Sequence, residues 1–387
     1  MNPTNLLGFT QQELADFAEH IGEPRYRGKQ LFQWIYTKGI DDFDRMTDLG
    51  KAFRVLLQQS ATLTGLNLIT QQHSLKDSTT KFLFGLQDGT KIESVLIPPS
   101  SAFKGKEAAD EDEQRRLTLC VSTQVGCPLD CTFCATATMG YVRNLTAGEI
   151  VDQLLKTKRI SGKKITNVVF MGMGEPMMNY DNVMKAVGII ASGVGIATKR
   201  ITISTAGWAD RIRQMGDERR RVKLAVSLHA ADDPTRTRLM PINKKFNLDT
   251  LISAVEYYYA RTKQRVTYEF IFFDGVNDSD LRVARLIKLA RRVPCKINVI
   301  PFHSIDFTSP DGFPATLRQS PRMEHIVEVL RSNNLSVFVR SSAGEDIDAA
   351  CGQLAVKVER RSREQARGGR RSMPYAASGL SPHGGRV

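Results

Sequence analysis

Cys127-Pro-Leu-Asp-Cys131-Thr-Phe-Cys134 sets three cysteines within eight residues, spaced CxxxCxxC. Three thiolates in so short a loop can converge on one point. Thiolate is a soft ligand that suits iron–sulfur clusters and zinc. The count discriminates between them. A structural zinc site takes four ligands, usually as two separated pairs, and an ordinary 4Fe-4S ferredoxin also supplies four cysteines. Three cysteines leave one iron of a 4Fe-4S cluster without a protein ligand, free to hold a substrate or a cofactor. The bland alternative is three buried thiols that happen to cluster. The rarity of the spacing and its surroundings weigh against it.

Outward from this loop the chain alternates. Residues 117–125 read as a buried strand that delivers the cysteine loop. A helix follows over 147–160, capped by Thr146, then a strand at 167–171, a glycine-rich turn and a helix over 181–191. The rhythm repeats as strand 200–204 with helix 209–215, strand 222–228 with helix 249–261, strand 265–273 with helix 278–292, and strand 296–302 with helix 322–332. Such alternation predicts an α/β fold, a parallel sheet covered by helices. Six units suit a partial (β/α)6 barrel better than a closed eight-fold one. A final strand at 336–340 leads into Ala343-Gly-Glu-Asp-Ile-Asp-Ala-Ala-Cys351-Gly-Gln. In parallel α/β folds ligands gather at the C-terminal ends of the strands, and every motif of interest lies at such an end.

Before the barrel, residues 1–60 read as a helical module. Thr10 and Glu13 form a capping-box pattern, a second helix begins near Tyr26, and a third covers 49–59. Arg25, Arg27, Lys29 and Lys38 make the second helix basic, which fits a solvated face and an RNA contact equally. Residues 61–116 form a β extension. Strands at 80–86 and 91–97 flank the hairpin signal Gln87-Asp88-Gly89, and 100–116 is a polar loop. The barrel spans 117–358, and 359–387 is a basic tail of disordered composition.

The chain carries 54 Lys and Arg against 41 Asp and Glu, a net +13. This points to a polyanionic partner such as RNA. No apolar run is long enough to cross a bilayer, and the N-terminus lacks the basic start and apolar stretch of a signal peptide. The expected setting is cytoplasmic, without membrane contact. There the six cysteines are expected to be metal ligands, catalytic groups or reduced core thiols.

Met171-Gly-Met-Gly-Glu-Pro176 follows the second barrel strand. Gly174 lets the backbone approach a ligand, and Glu175 offers a carboxylate to an ammonium group; the plain alternative is an ordinary βα turn. Ser204-Thr205-Ala206-Gly207 ends the third strand with hydroxyls for a carboxylate or ribose. Ser227-Leu228-His229 ends the fourth, and Pro301-Phe302-His303 the sixth. A lone histidine is more often structural, but the strand-end position of His229 favours a ligand role. Cys120 lies on the strand leading into the cysteine loop. Cys351 sits among Gly344, Glu345, Asp346, Asp348 and Gly352, a setting for an exposed, movable thiol. Cys295 starts an apolar strand and is assigned to the core.

Together these stretches resemble the RlmN family of dual-specificity radical S-adenosylmethionine (SAM) RNA methyltransferases, and more distantly Cfr. The matching segments are TLCVSTQVGCPLDCTFCATATMG, TNVVFMGMGEPMMN, AVSLHA, PINKK, PCKINVIP and GEDIDAACGQL. The resemblance implies a 4Fe-4S cluster on Cys127, Cys131 and Cys134 whose open iron binds SAM. It implies SAM contacts from Gly174, Glu175, Ser204, Ser227, Leu228, His229 and His303. The implied substrates are adenosine 2503 of 23S rRNA and adenosine 37 of tRNAs, methylated at C2 with two SAM per turnover.

By the same resemblance, one SAM methylates Cys351. A second is cleaved reductively to a 5′-deoxyadenosyl radical, which takes a hydrogen from that S-methyl group. The methylene radical adds to C2, an electrophilic carbon that cannot itself attack a sulfonium. Cys120 then removes the C2 proton and attacks the Cys351 sulfur, leaving a transient disulfide. Reducing equivalents from a flavodoxin- or ferredoxin-type partner are implied, and the enzyme is expected to be a monomer. Glu93 matches a carboxylate assigned in the family as a proton acceptor, although Cys120 explains the proton transfer better. One departure is Phe302-His303, where the family often has Trp-Asn or Tyr-Asn. Two alternatives stay open: C8 methylation as in Cfr, and a non-catalytic iron–sulfur or zinc protein that binds RNA.

Overall fold

Most of the apolar strands of the sequence pattern assemble into one ten-stranded sheet. The computed structural model describes residues 3–99, 116–303 and 317–355. The expectation for the tail at 359–387, and that for the polar loop at 100–116 except for residue 116, lie outside the described residues. The strands are β1 Thr4–Asn5, β2 Ala61–Thr62, β3 Asn67–His73, β4 Thr80–Gly85, β5 Lys91–Ile97, β6 Thr118–Cys120, β7 Gln124–Gly126, β8 Tyr141–Asn144, β9 Asn167–Phe170, β10 Ile201–Thr205, β11 Lys223–Ser227, β12 Val266–Phe270, β13 Cys295–Val299 and β14 Val337–Val339. The α-helices are α1 Gln11–His20, α2 Arg27–Phe32, α3 Lys51–Ser60, α4 Ala147–Ser161, α5 Tyr180–Ile189, α6 Ala209–Asp217, α7 Asp233–Leu239, α8 Leu248–Thr262, α9 Asp280–Ala290 and α10 Met323–Ser332.

Ten strands share one sheet in the order β14-β13-β12-β11-β10-β9-β6-β5-β4-β3. From β6 to β14 every neighbouring pair is parallel. This is the α/β rhythm of the sequence plus its closing strand. β9 is buried at every residue, as a parallel strand covered on both faces must be. The β extension continues the same sheet: β5 joins β6 antiparallel, and β4 and β3 follow antiparallel. Cys120 thereby pairs with Val95 on one side and Val169 on the other. Opposed residues share a face, and faces alternate along a strand. Lys81 pairs with Val95, so Lys81, Glu93 and Val95 lie on the Cys120 face.

The helical module is built as its sequence requires. Thr10 and Glu13 complete a capping box on α1. The second helix passes at Gln33–Thr37 into a π-helical turn. The Tyr36 hydroxyl accepts from Gly8 N at 2.9 Å and donates to Phe9 O at 2.9 Å. The module is tied to the barrel helices by Lys185 to Glu13 at 2.7 Å, Thr37 to Gly193 O at 2.8 Å and an Arg159–Asp41 ion pair.

Three local expectations change. The strand expected over 117–125 stops at Cys120 and resumes as β7, which pairs with β8 in a separate two-stranded sheet. Ser122 causes the break: its N–H donates to Gln153 Oε1 at 2.8 Å and its hydroxyl to Glu93 O at 2.6 Å. Residues 233–239, between the strand expected at 222–228 and the helix expected at 249–261, form α7, with Asp232 as N-cap and a proline in its first turn. The third module helix starts at Lys51 after Gly50.

Candidate active site at the strand ends

The cysteine loop leaves β7 through Gly126, whose φ is +73°. A Cβ there would lie 1.8 Å from Gly140 O, so only glycine fits. Cys127 N then donates to Gly140 O at 2.9 Å, Cys134 N to Cys131 O at 3.1 Å, and Thr132 N to Leu239 O at 3.1 Å. Burial pushes all three thiols up; Cys134 adds to the rise of Cys127, Cys127 and Cys134 to that of Cys131, and Cys351 to that of Cys134. Such thiols ionise when a cationic centre replaces their protons, which is what metal ligation does. Among the described residues, no group of three or more His, Cys, Asp or Glu is gathered tightly enough to hold one metal ion. A soft, three-thiol donor set of this kind fits a 4Fe-4S cluster.

The strand ends beside the loop are built around Glu175. Gly174 precedes it with φ +95°, and a Cβ there would lie 2.5 Å from the Gln124 Cβ. This close approach lets Gln124 Oε1 accept from Glu175 N at 2.8 Å. The carboxylate is buried, which raises its pKa, and it is held by backbone N–H groups. Met177 N donates to Oε1 at 3.0 Å and Ala206 N to Oε2 at 2.8 Å. Glu175 therefore joins the ends of β9 and β10, and the Thr205 side chain also bonds its carboxylate. Ser204 and Ser227 are half-buried at the ends of β10 and β11, and Leu228 is fully buried.

His229 follows in the left-handed region at φ +52°. Its Nδ1 accepts from Ile271 N at 3.1 Å, and its ring lies 4.6 Å from that of Phe133 in the cysteine loop. Burial, then the Arg236 charge, hold it at about 3, so the imidazole is neutral with its proton on Nε2. His303 pairs through Nδ1 with Glu345 Oε1 at 3.2 Å, while its Nε2 is buried without a partner. An orphaned ring nitrogen at a strand end fits a ligand contact. With the Gly174 cradle and the buried Glu175 carboxylate, it makes the residues present suitable for SAM.

Cys120 and Cys351 are both free thiols, the first buried and the second exposed. Burial foremost, then the nearby Cys351, push Cys120 up to about 12, while Arg340 pulls it down. Arg340 is held above the usual guanidinium range, first by Cys351 and then by Glu269 and Cys120, against the effect of burial. Its Nη1 lies 3.6 Å from Glu269 Oε2 and 3.5 Å from Met171 Sδ. Asn298 fixes the other Glu269 oxygen at 3.0 Å. Arg340 also lines a cleft with Cys351, His303, Ile97 and Pro301.

Residues 344–355 form a strap that carries Cys351. Its first half is pinned to the β extension: Gly344 N donates to Asp77 Oδ2 at 2.8 Å, Ser74 Oγ to Asp346 Oδ1 at 2.7 Å, and Lys81 Nζ to Asp348 O at 3.2 Å. Its second half is pinned to the cysteine loop by Ala135 N to Gly352 O at 2.7 Å and Thr136 Oγ1 to Leu354 O at 2.6 Å. Cys351 lies between the two sets of bonds. Glu93, on the β extension, also holds the second half of the strap. Lys81 Nζ lies 3.4 Å from its Oε1, and the Ala355 backbone N–H donates to its carboxylate. Burial raises the pKa of Glu93 against the pull of Lys81.

The structure thus adds Lys81, Asp77, Thr136, Arg236 and Arg340 to the residues singled out in sequence. Arg340 could have been found by the strand-end rule, since it directly follows the apolar β14. Arg236 carries no sequence signal, because arginines on short polar helices are usually solvated.

Comparisons with known proteins agree with this geometry. Residues 4–63 match the family model for the ribosomal RNA large subunit methyltransferase N-terminal domain, and residues 121–287 match the radical SAM superfamily. A relative from Salinibacter ruber, named "Probable dual-specificity RNA methyltransferase RlmN", is 43% identical over 89% of this chain and 92% of its own. The dual-specificity RNA methyltransferase RlmN of Desulfotalea psychrophila is 41% identical over 91% of this chain and 94% of its own. A crystal structure of a radical SAM methyltransferase from Sphaerobacter thermophilus superposes with TM-score 0.80 and 39% identity, covering 91% of this chain and 99% of that one. With that identity along nearly the whole of both chains, and with the cysteine loop on the strand ends of a radical SAM sheet, the chain belongs to the RlmN family of radical SAM RNA methyltransferases.

Proposed function

We propose that this protein methylates C2 of adenosine 2503 in 23S rRNA and of adenosine 37 in tRNAs, through a methyl group carried on Cys351. The observation that carries the proposal is the strap: an exposed thiol held between the cysteine loop and the β extension, with Cys120 and Arg340 beside it. Cys127, Cys131 and Cys134 would hold the 4Fe-4S cluster. Gly174, Glu175, Ser204, Ser227, Leu228, His229 and His303 would hold SAM. When bound, cluster and SAM together supply a carbon-centred radical that removes one hydrogen atom from a methyl group.

The chain's own residues do the rest. Arg340 sets a cation beside Cys351, whose sulfur displaces the methyl group from a sulfonium. Cys120 takes the C2 proton, and the adduct radical gives up one electron, which the oxidised cluster would accept. The Cys120 sulfur then displaces the methylene carbon from the Cys351 sulfur. The S–S bond forms as the C–S bond breaks, and the released methylene gains a proton to become the methyl group. Glu93 and Lys81 hold the strap in register for both events. Among the described residues, no helix is long and apolar enough to cross a membrane. A cytosolic setting, where a flavodoxin- or ferredoxin-type reductant reopens the disulfide, completes the proposal.

The test is incubation of the reconstituted protein with SAM, a reductant and 23S rRNA, followed by nucleoside mass spectrometry. The expected product is 2-methyladenosine; 8-methyladenosine, or no methylated adenosine, overturns the assignment. Cys120→Ala is expected to accumulate protein covalently linked to RNA, and Cys351→Ala is not. A Cys120→Ala protein without adduct overturns the resolving role of Cys120.

A further inference from the structure

Arg236 on α7 heads the largest fully buried side chains. Its guanidinium binds neutral oxygens: Nε donates to Leu228 O at 3.2 Å, Nη1 to Asn243 Oδ1 at 3.0 Å, and Nη2 to Ala206 O at 2.5 Å and Ser227 O at 3.2 Å. Among the described residues it bonds to no carboxylate. The acid that bears on it, Asp233, directs Oδ1 elsewhere, accepting from Asn243 Nδ2 and Leu248 N, each at 2.9 Å. A buried cation is costly unless an anion lies close, so its position calls for one.

The geometry shows where that anion belongs. α7 ends against the cysteine loop, where Leu239 O accepts from Thr132 N at 3.1 Å and from Thr132 Oγ1 at 3.4 Å. Thr132 is the residue after Cys131. Arg236 lies one turn earlier on the same helix, and its charge and the Cys131 thiol act on one another. The three carbonyls it holds belong to the ends of β10 and β11, where Ser204, Ser227 and Leu228 lie.

We infer that Arg236 is a positioning residue with two tasks: its buried charge balances the anionic cluster on Cys127, Cys131 and Cys134, and its fork fixes the strand ends that face SAM. This rests on the cluster reading given above. A cluster with three thiolates is anionic, and reduction adds one more negative charge. A fixed cation in a low-dielectric interior favours the reduced form. Solvated lysines and arginines on the outer faces do not have this effect, because water screens them.

The test is redox titration, followed by electron paramagnetic resonance, of anaerobically reconstituted wild type, Arg236→Lys and Arg236→Gln. Arg236→Gln is expected to disfavour reduction at least tenfold, a fall in midpoint potential of about 59 mV. Arg236→Lys keeps the charge and is expected to recover at least half of that fall. Should Arg236→Gln not fold, Asp233→Asn serves in its place: it removes the negative charge acting on Arg236 and is expected to raise the potential. A folded Arg236→Gln with wild-type iron and wild-type potential overturns the inference, as does an unchanged or lowered potential in Asp233→Asn. Wild-type protein that binds no iron overturns the underlying cluster reading instead, so the two failures are distinguishable.

Discussion

Asp77→Ala is the most direct way to loosen the strap without touching either thiol. Asp77 is buried on the β extension, where Oδ2 accepts from Gly344 N at 2.8 Å and Oδ1 from Thr79 N at 2.9 Å. The first bond crosses to the strap and the second lies within the extension. A hydrogen bond to a charged group contributes about 1.5–3 kcal/mol net. Losing the Gly344 bond should therefore lower the ratio of docked to undocked strap roughly 10- to 150-fold. Asp77→Asn keeps an acceptor without the charge and should fall between. Hydrogen exchange is the assay: amides of 344–355 should lose protection by that factor, while those of β10 and β11 keep theirs. Cys351 should be methylated more slowly in the same variant. Unchanged protection of Gly344 and Ala349, with unchanged methylation of Cys351, would refute the role given to the β extension.

Two other predictions follow from single residues. Gly174→Ala places a Cβ at φ +95° and 2.9 Å from Gln124 N; strain of about 1–3 kcal/mol should lower the melting temperature and SAM affinity together, and wild-type values for both would contradict the close-approach argument. His229 is held at about 3 against an ordinary value near 6.5. The folded chain therefore binds fewer protons than the unfolded one between these values. The stability it confers is complete above about pH 6.5 and is lost as pH falls toward 3, by about 1.4 kcal/mol per unit. His229→Asn tolerates the left-handed backbone and removes that slope. Denaturant melts at pH 7 and pH 5 should show the wild type losing more stability than the variant, and equal losses would contradict a buried neutral imidazole.

Much of this site was legible in the sequence because it sits at strand ends. Cys127, Cys131, Cys134, Gly174, Glu175 and His229 are placed by the βα rhythm, and periodicity reveals that rhythm. The β extension was legible as a hairpin from Gln87-Asp88-Gly89, but not as a continuation of the barrel sheet. Pairing of β5 with β6 is a long-range contact that no local pattern encodes. For that reason the company of Lys81 and Glu93 with the strap was invisible. Buried charges misled for a related reason. Arg236 and Asp77 look like surface residues in sequence, and burial makes them organisers. The basic face of the second module helix shows the reverse. Arg25 pairs with Asp16 and Glu19, Arg27 with Glu23, and Lys38 with Asp48, so much of the charge read as a candidate RNA contact is neutralised within the module.

The transfer of a methyl group by way of Cys351 is tested most directly with SAM deuterated in its methyl group. Mass spectrometry of the digested RNA then counts the deuterium atoms in the new methyl group. Loss of one hydrogen atom from S-methyl Cys351 before carbon–carbon bond formation leaves two deuterium atoms in 2-methyladenosine, and the Cys351 peptide carries a trideuterated methyl group before RNA is added. A product retaining all three, with no methyl group ever found on Cys351, would mean that the group passes intact from SAM to the base and that the strap plays no chemical part.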